Sequence, residues 1–173
     1  MNVVGGQASS NVPRGPFTYS LDNRMAPRYH SQWRDESAGR GSALEYGPVS
    51  LIYRLEKPEN VDYIVYYPRG SGDNGLIGAV ELYIKKDGDN DFSLAGKKEY
   101  DFGQSGSLGI VTFPERIEGA TECKFIVKTG KNNDVSCAEM EFYTKAEISG
   151  ELLDVFEDDL YAKLKQGVTT EQI

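Results

Sequence analysis

The chain has few of the residue types that carry most enzyme chemistry. Its 173 residues contain one histidine, His30, one tryptophan, Trp33, and two cysteines, Cys123 and Cys137. A single histidine excludes the H-E-x-x-H zinc motif, and neither a G-x-S-x-G nucleophile motif nor a Cys/His metal cluster occurs. Carboxylates are abundant, but the sequence places no two of them in one pocket, which leaves a glycosidase pair open. We therefore expect a chain without enzymatic activity.

Long apolar runs and excess positive charge are also missing. No apolar run approaches the ~20 residues needed to span a bilayer, and residues 1–10 lack the charged and apolar parts of a signal peptide. The formal net charge of −8 opposes binding to nucleic acid or to an anionic membrane surface, because both present negative phosphates. We expect no nucleic-acid partner and no membrane insertion.

The two cysteines are predicted to be unbonded. Cys123 and Cys137 are assigned to two strands of one hairpin whose turn is centred near Asn132. This register places Cys137 opposite about Val127 and keeps the thiols apart, whereas a disulfide needs Cα atoms within about 7 Å. Two buried free cysteines are therefore expected.

The dominant pattern from Val49 to Tyr143 is alternation of apolar and polar residues, which is typical of strands. Predicted strands cover residues 50–55, 61–67, 79–84, 100–102, 109–113, 124–127 and 138–143. Turn-forming sequences separate them at residues 57–60, 87–90 and 130–134. No helical crossover interrupts this part, so an all-β fold is predicted, an antiparallel β-sandwich of jelly-roll type.

The two ends of the chain depart from this pattern. The first 48 residues are polar and irregular, yet they hold the only tryptophan and histidine, which favours a functional role over disorder. At the other end, a short helix is predicted from apolar residues at helical spacing, namely Leu153, Phe156, Leu160 and Leu164. We expect one jelly-roll module over residues 1–144. Residues 145–173 are expected to form a linker and an amphipathic helix, which either folds back or, as we favour, begins a truncated following domain.

Two sequence motifs point to ligands that their surroundings do not support. Residues 70–75 match G-x-G-x-x-G, but a dinucleotide site needs a helix next, and residues 78–85 alternate like a strand. Asp87, Asp89 and Asp91 alternate like a calcium loop, but Phe92 stands where such a loop needs glycine. A glycine-rich loop and a solvated hairpin turn are the better interpretations.

Four residues have the chemistry of a sugar site. A sugar ring stacks its C–H face on an aromatic side chain, while fixed donors and acceptors bind its hydroxyls. Arg69 and Asn74, five residues apart in the glycine-rich loop, supply such groups, and His30 and Trp33 could supply the rest. Each also has a purely structural explanation: a tight turn at Asn74, an ion pair for Arg69, or a core plug for Trp33.

Together, three segments resemble a known family. Residues 29–33, residues 66–69 with 74–75, and residues 136–143 resemble the discoidin or coagulation factor five/eight type C superfamily. The likeness is greatest to its bacterial carbohydrate-binding modules of family thirty-two, and it runs from about Gly6 to Tyr143. It implies a galactose-binding-like jelly roll whose loops bind sugar at one end.

The resemblance also implies the site residues. The family's histidine, arginine and asparagine match His30, Arg69 and Asn74, and Trp33 matches a loop aromatic. Many members add a second aromatic residue from a late loop, but the corresponding residues 131–136 contain none.

The family's structural calcium is only partly matched. Asp22 and Glu139 match family ligands, whereas Pro27 replaces a threonine and Arg24 brings a positive charge. Calcium favours about six to eight oxygens. We expect no cofactor, with a structural calcium at Asp22 and Glu139 left open as the alternative, and we hypothesise that Arg24 replaces the metal by pairing with Glu139 or Asp22.

The tail provides a weaker resemblance to a larger protein. Residues 152–173 resemble the segment that joins such modules to enhancin-like zinc metallopeptidases, which act on glycoproteins such as mucins. The resemblance implies a monomeric, extracellular or bacterial cell-surface module that binds galactose- or N-acetylgalactosamine-containing glycans and directs a catalytic domain to them. The alternative is a discoidin-like protein-interaction or structural module without sugar binding.

Overall fold

The computed structural model describes residues 1–144; the predicted linker and helix, with Leu153, Phe156, Leu160 and Leu164, lie outside the described residues. The described chain is built from strands joined by loops and short 3-10 turns. The strands are β1 Val3–Ala8, β2 Tyr29–His30, β3 Val49–Tyr67, β4 Ala79–Lys86, β5 Ser93–Leu94, β6 Tyr100–Asp101, β7 Gly109–Val127, β8 Ser136–Cys137 and β9 Glu139–Tyr143. The 3-10 turns are Phe17–Ser20, Glu36–Ala38, Ala43–Glu45 and Lys131–Asn133. No described helix is long and apolar enough to cross a membrane.

Two long antiparallel strands form the centre of the fold. Strands β3 and β7 each contain 19 residues and pair with each other. Residues 51–55 of β3 also pair with β1, whereas residues 63–67 pair with β9. On its other side, β7 pairs with β4, which in turn pairs with β5 and β6. The predicted all-β antiparallel class is confirmed.

The predicted turn at residues 57–60 is wrong. These residues lie inside β3, and the register to β7 shifts between Arg54 and Val61 instead of reversing. Pro58 has no N–H for the ladder, and a bulged strand is one place where a sheet accepts proline. The same composition that marks a turn therefore marks a bend within one strand.

Aromatic residues show how the bent strands close into a sandwich. Tyr53 lies in the first part of β3, and Phe142 lies on β9 beside the last part. Their ring centroids are 5.6 Å apart, and Phe125 of β7 is 5.7 Å from Tyr53 and 6.3 Å from Phe142. All three side chains are buried. The two parts of β3 thus face each other across one core, as a jelly roll requires.

The cysteines are buried and free, as predicted, but the predicted hairpin between them is wrong. Cys123 in β7 lies opposite Tyr53 and Ile84, whereas Cys137 in β8 lies opposite Tyr29. The intervening residues 128–135 form a crossing loop with positive φ at Asn132 and Asn133. The chain therefore passes to a different partner strand instead of turning back on β7.

The two rejected sequence motifs have the predicted surroundings. Strand β4 begins at Ala79, soon after the glycine-rich loop of residues 70–75, so no helix meets that loop. Asp87, Asp89 and Asp91 are exposed in the turn between β4 and β5, where the Asp89 carboxylate accepts a hydrogen bond from the Lys86 amide.

Candidate ligand-binding site

Backbone hydrogen bonds join three distant loops at one end of the sandwich. The Gly75 amide donates to Lys131 O at 2.9 Å, and the Ser136 amide donates to Gly75 O at 2.9 Å. The Ser31 amide donates to Val135 O at 2.8 Å. Gly75 has a φ of +84°, and a β-carbon there would lie 2.5 Å from the Ser136 nitrogen. The junction therefore requires glycine at this position.

Arg69 is held by backbone carbonyls of the glycine-rich loop. Its Nε donates to Ser71 O at 2.6 Å, and its Nη1 donates to Asn74 O at 3.0 Å. Burial lowers the pKa of Arg69, as does the nearby positive charge of Arg28. These two bonds fix the guanidinium and leave N–H groups for a ligand. Among the described residues, Arg69 is held by these carbonyl groups and not by the carboxylate that the alternative explanation, an ion pair, requires.

Asn74 is positioned by a side chain from the late loop. Its Oδ1 accepts a hydrogen bond from Asn132 Nδ2 at 2.5 Å, and the residue is exposed. Because the amide oxygen is engaged, the Nδ2 group of Asn74 is the part that remains to donate. Asn132 was not predicted as a site residue, and it occupies the loop that lacks the family's second aromatic residue.

His30 is neutral and turned so that one nitrogen can accept. The residue is 6 % exposed, and Nδ1 lies 2.6 Å from Ser31 O, which assigns the ring hydrogen to Nδ1. Burial lowers the pKa of His30, and nearby Arg69 and Arg28 act in the same direction, although the Ser31 bond and Asp134 oppose them. The Nε2 atom is therefore a hydrogen-bond acceptor at neutral pH.

Trp33 stands beside His30 at the surface. Its ring centroid is 5.2 Å from that of His30, at 75° between the planes, and 43 % of the residue is exposed. An exposed indole next to fixed polar groups is suited to stacking on a sugar ring. Trp33 is therefore not a core plug.

A cavity of about 240 Å³ lies against these two aromatic rings. Its lining residues are Arg14, Gly15, Pro27, Arg28, His30 and Trp33. Gly15 is required there, since a β-carbon would lie 2.8 Å from the His30 nitrogen. The site thus has an apolar wall, a neutral acceptor and cationic donors.

Sequence reasoning missed Asp134 and Arg28 as site residues. Asp134 is 3 % exposed, it bonds the Ser42 side chain, and its Oδ1 has no hydrogen-bond partner among the described residues. Burial raises the pKa of Asp134, while His30, the Ser42 bond and Arg69 oppose that rise. In the sequence Asp134 has only the appearance of a turn residue. Its position two residues before the resembling segment that begins at residue 136 was the one available signal.

The carboxylate that raises the pKa of Asp134 already accepts hydrogen bonds from other groups. Glu45 raises the pKa of Asp134, and it accepts hydrogen bonds from Arg34 and from the Ser42 amide. Glu45 is therefore not a free partner for Asp134 in a glycosidase pair.

Asp22 and Glu139 meet elsewhere in the fold. Glu139 is 2 % exposed; it bonds the Asp22 side chain and accepts from the Asn23 amide at 3.0 Å. Burial raises the pKa of Glu139 to about 8, and the bond to Asp22 adds to the rise. The predicted pairing of Arg24 with either acid does not form: its amide donates to Asp22 Oδ1 at 3.0 Å, while the residue is exposed. With its pKa raised to about 8, the Glu139 carboxyl group is expected to be protonated at neutral pH, which reduces its repulsion with Asp22.

Asp22 and Glu139 supply only part of the oxygen shell that the calcium implied by the family resemblance would need. Glu139 Oε1 and Asp22 Oδ1 each accept a backbone N–H, which engages one oxygen of each carboxyl group. Within residues 1–144, no group of three or more His, Cys, Asp or Glu side chains is arranged to hold a metal ion. Calcium takes about six to eight oxygen ligands.

Comparison with curated proteins gives one relative. No family model matches the sequence. The A type blood N-acetyl-alpha-D-galactosamine deacetylase of Flavonifractor plautii is 28% identical over 99 residues, which are 56% of this chain and 12% of the deacetylase. The chain therefore spans only a small part of that relative's length.

Solved structures confirm the fold and the resemblance to family thirty-two. The family 32 carbohydrate-binding module of Clostridium perfringens NanJ, in complex with galactose, is similar with a TM-score of 0.69 and 26% identity, covering 81% of this chain and 93% of that one. CpGH89CBM32-5 of the same organism, in complex with GalNAc-beta-1,3-galactose, has a TM-score of 0.68 and 24% identity, covering 81% and 94%. A Clostridium perfringens ZmpB chain with CBM32-1, CBM32-2 and M60 catalytic domains has a TM-score of 0.65 and 17% identity, covering 96% and 19%. The last two similarities concern the fold alone.

Proposed function

We propose that residues 1–144 form a non-catalytic carbohydrate-binding module whose loops hold a galactose-type sugar. The observation that carries this proposal is the convergence of three polar side chains next to an exposed indole. Arg69 bonds Asn74 and lies close enough to His30 to affect its pKa, and Trp33 packs against His30. All four come from loops or strand ends at one end of the sandwich.

The hydrogen-bonding capacities of these groups suit neighbouring hydroxyls. A sugar hydroxyl donates one hydrogen bond and accepts others. Arg69 and the Asn74 amide nitrogen donate, whereas His30 Nε2 accepts. Trp33 would cover the apolar face of the ring. Because the donors and acceptors are fixed before binding, little side-chain entropy is lost when the sugar arrives.

Two relatives support galactose or N-acetylgalactosamine as the ligand. The NanJ module, 26% identical to this chain, was solved in complex with galactose. The curated relative is named as a deacetylase of A type blood N-acetyl-alpha-D-galactosamine. Since the matched region covers 12% of that protein, we infer that this module is one part of a larger protein and directs a separate catalytic domain to host glycoproteins. The family resemblance supports a location of this activity outside the cell or at a bacterial surface. The same proposal identifies the catalytic domain as an enhancin-like peptidase.

A single site of this kind is expected to bind weakly. One small sugar offers few contacts against the entropy lost on binding, so avidity on clustered glycans supplies the rest. The module would therefore raise the local concentration of its attached enzyme without any chemistry of its own.

Titration of the chain with galactose, N-acetylgalactosamine and N-acetyllactosamine tests the proposal. Saturable binding that is lost in Arg69→Ala but kept in Arg40→Ala is the expected result. Arg40 is a matched control because it lies in the N-terminal loop, where it pairs with Asp35. Binding that survives Arg69→Ala would refute this placement of the site. If no binding were detected at millimolar sugar or on a mucin-glycan array, the result would instead favour a discoidin-like interaction module.

A further inference from the structure

The cavity beside Trp33 has a charge opposite to that of the whole chain. Arg14 and Arg28 lie in its wall, and none of the six lining residues is acidic. The chain as a whole has a formal net charge of −8. A cationic hollow on an acidic protein concentrates positive potential where a ligand would sit.

Arg28 is an incompletely bonded guanidinium. The residue is half-buried, and its Nε is buried without a hydrogen-bond partner among the described residues. Other arginines of the described chain, such as Arg34 and Arg40, form ion pairs with carboxylates. A buried donor left unpaired is costly unless a ligand supplies an acceptor.

Positive charge is concentrated further by Arg69. Arg28 lowers the pKa of both Arg69 and His30, which places its charge near these side chains. Asp134 offsets this charge in part, through its effect on His30 and Arg69, but it does not line the cavity. An incoming anion would therefore relieve repulsion between the guanidinium groups.

We propose that the cavity lined by Arg14 and Arg28 is an anion subsite, and that the preferred ligand is a galactose-type sugar carrying a carboxylate or a sulfate ester. This inference rests on the proposed function, because His30 and Trp33 border both the sugar position and the cavity. Guanidinium groups bind such planar or tetrahedral oxyanions through paired N–H donors. Trp33 and Pro27 contribute an apolar wall for the ring that carries the anion.

The test compares neutral and acidic forms of one sugar. The full chain is titrated with galactose, galacturonic acid, galactose 3-sulfate and galactose 6-sulfate, with free sulfate as a further ligand. We expect at least one acidic sugar to bind roughly tenfold more tightly than galactose. The preference should shrink as salt rises from about 0.05 to 0.5 M, because counter-ions screen the pair. The carboxylated and sulfated arms identify the substituent.

Variants locate the preference in the cavity. Arg28→Gln and Arg14→Gln should bring the ratio of acidic to neutral affinity toward one, whereas Arg40→Gln should leave the ratio intact. The ratio of acidic to neutral affinity is measured because a variant that weakens the binding of every sugar equally leaves this ratio unchanged. If Arg28→Gln does not fold, Arg14→Gln decides alone, since Arg14 is exposed.

Each outcome separates this inference from the proposed function. Equal affinity for galactose and every acidic sugar would overturn the anion subsite and leave the sugar site standing. A preference that persists in both glutamine variants would also overturn it. If free sulfate bound while no sugar did, both the preferred ligand and the proposed function would be refuted. A lack of detectable binding to every ligand would also refute both.

Discussion

Two buried carboxyl groups of this protein have nearly equal exposure and opposite surroundings. Asp134 is 3 % exposed and faces His30 and Arg69, whereas Glu139 is 2 % exposed and faces the carboxyl of Asp22. Burial raises the pKa of both, but His30 and Arg69 oppose the rise at Asp134, whereas the acidic neighbour Asp22 adds to it at Glu139. Burial alone therefore does not indicate function. The charges around the buried group distinguish the proposed sugar-binding end, near Asp134, from the contact between Glu139 and Asp22.

The largest expected effect breaks the binding end. Gly75→Ala places a β-carbon 2.5 Å from the Ser136 nitrogen at a φ of +84°, so the junction of the two loops must shift. We expect a loss of about 3 kcal/mol in stability and at least a tenfold loss of sugar affinity. Denaturant unfolding and sugar titration measure the two effects.

Gly39→Ala is the matched control for this change. Gly39 also has a positive φ, +67°, but a β-carbon there meets no atom within 4 Å. A Gly75→Ala protein that binds sugar as well as the Gly39→Ala protein would show that the loop junction does not position Asn74.

The next effect concerns the structural contact. Glu139→Ala removes the acceptor of the Asn23 amide and the partner of Asp22. We expect a loss of about 2 kcal/mol in the free energy of unfolding and unchanged sugar affinity, because the Asp134 end is not touched. Glu139→Gln, whose amide can both accept from Asn23 and donate to Asp22, should lose much less. If Glu139→Ala abolished sugar binding in a folded protein, the distinction between the two carboxyl groups would fail.

The smallest effect sharpens the comparison through pH. His30 has a lowered pKa, so its neutral, accepting form dominates down to pH values below about 6.5. Sugar affinity should therefore be level at neutral and alkaline pH and fall several-fold on acidification below that range, as protonation removes the Nε2 acceptor. Affinity measured across pH tests this.

Asp134→Asn tests the same loss of sugar affinity at acid pH, by changing a charged neighbour of His30. The charge of Asp134 raises the pKa of His30, so its removal should move the acid loss of affinity to lower pH. An acid limb that stays in place would show that Asp134 does not act on the histidine.

Most of the sheet could be predicted because a half-buried strand alternates its side chains. Strand β4, with its regular alternation of buried and partly buried residues, follows this rule closely. Strand β3 was predicted as two strands because Pro58 and Asn60 are typical of turns, whereas their neighbours Glu59 and Val61 pair with β7. Likewise, residues 130–134 resemble a hairpin turn locally, but distant partners determine the path of the chain there.

The site was predicted only in part, for a related reason. His30, Trp33, Arg69 and Asn74 were proposed from scarce residue types and the family resemblance. Asp134 was missed because its role depends on loops that are far apart in sequence; the neighbouring Val135 amide, for example, donates to Ser31 Oγ across 104 positions. No local pattern encodes such an encounter.

The two ends of the described module meet. The amino group of Met1 lies 3.4 Å from the carbonyl oxygen of Phe142, 141 positions along the chain. A unit with adjacent ends can be spliced into a surface loop of a host protein without forcing the loop apart. It can equally be circularly permuted. In such a variant a short linker joins residue 144 to residue 1, and new termini are opened at the exposed turn near Gly88. Its folding would test whether the order of strands along the chain is needed for the jelly roll to form.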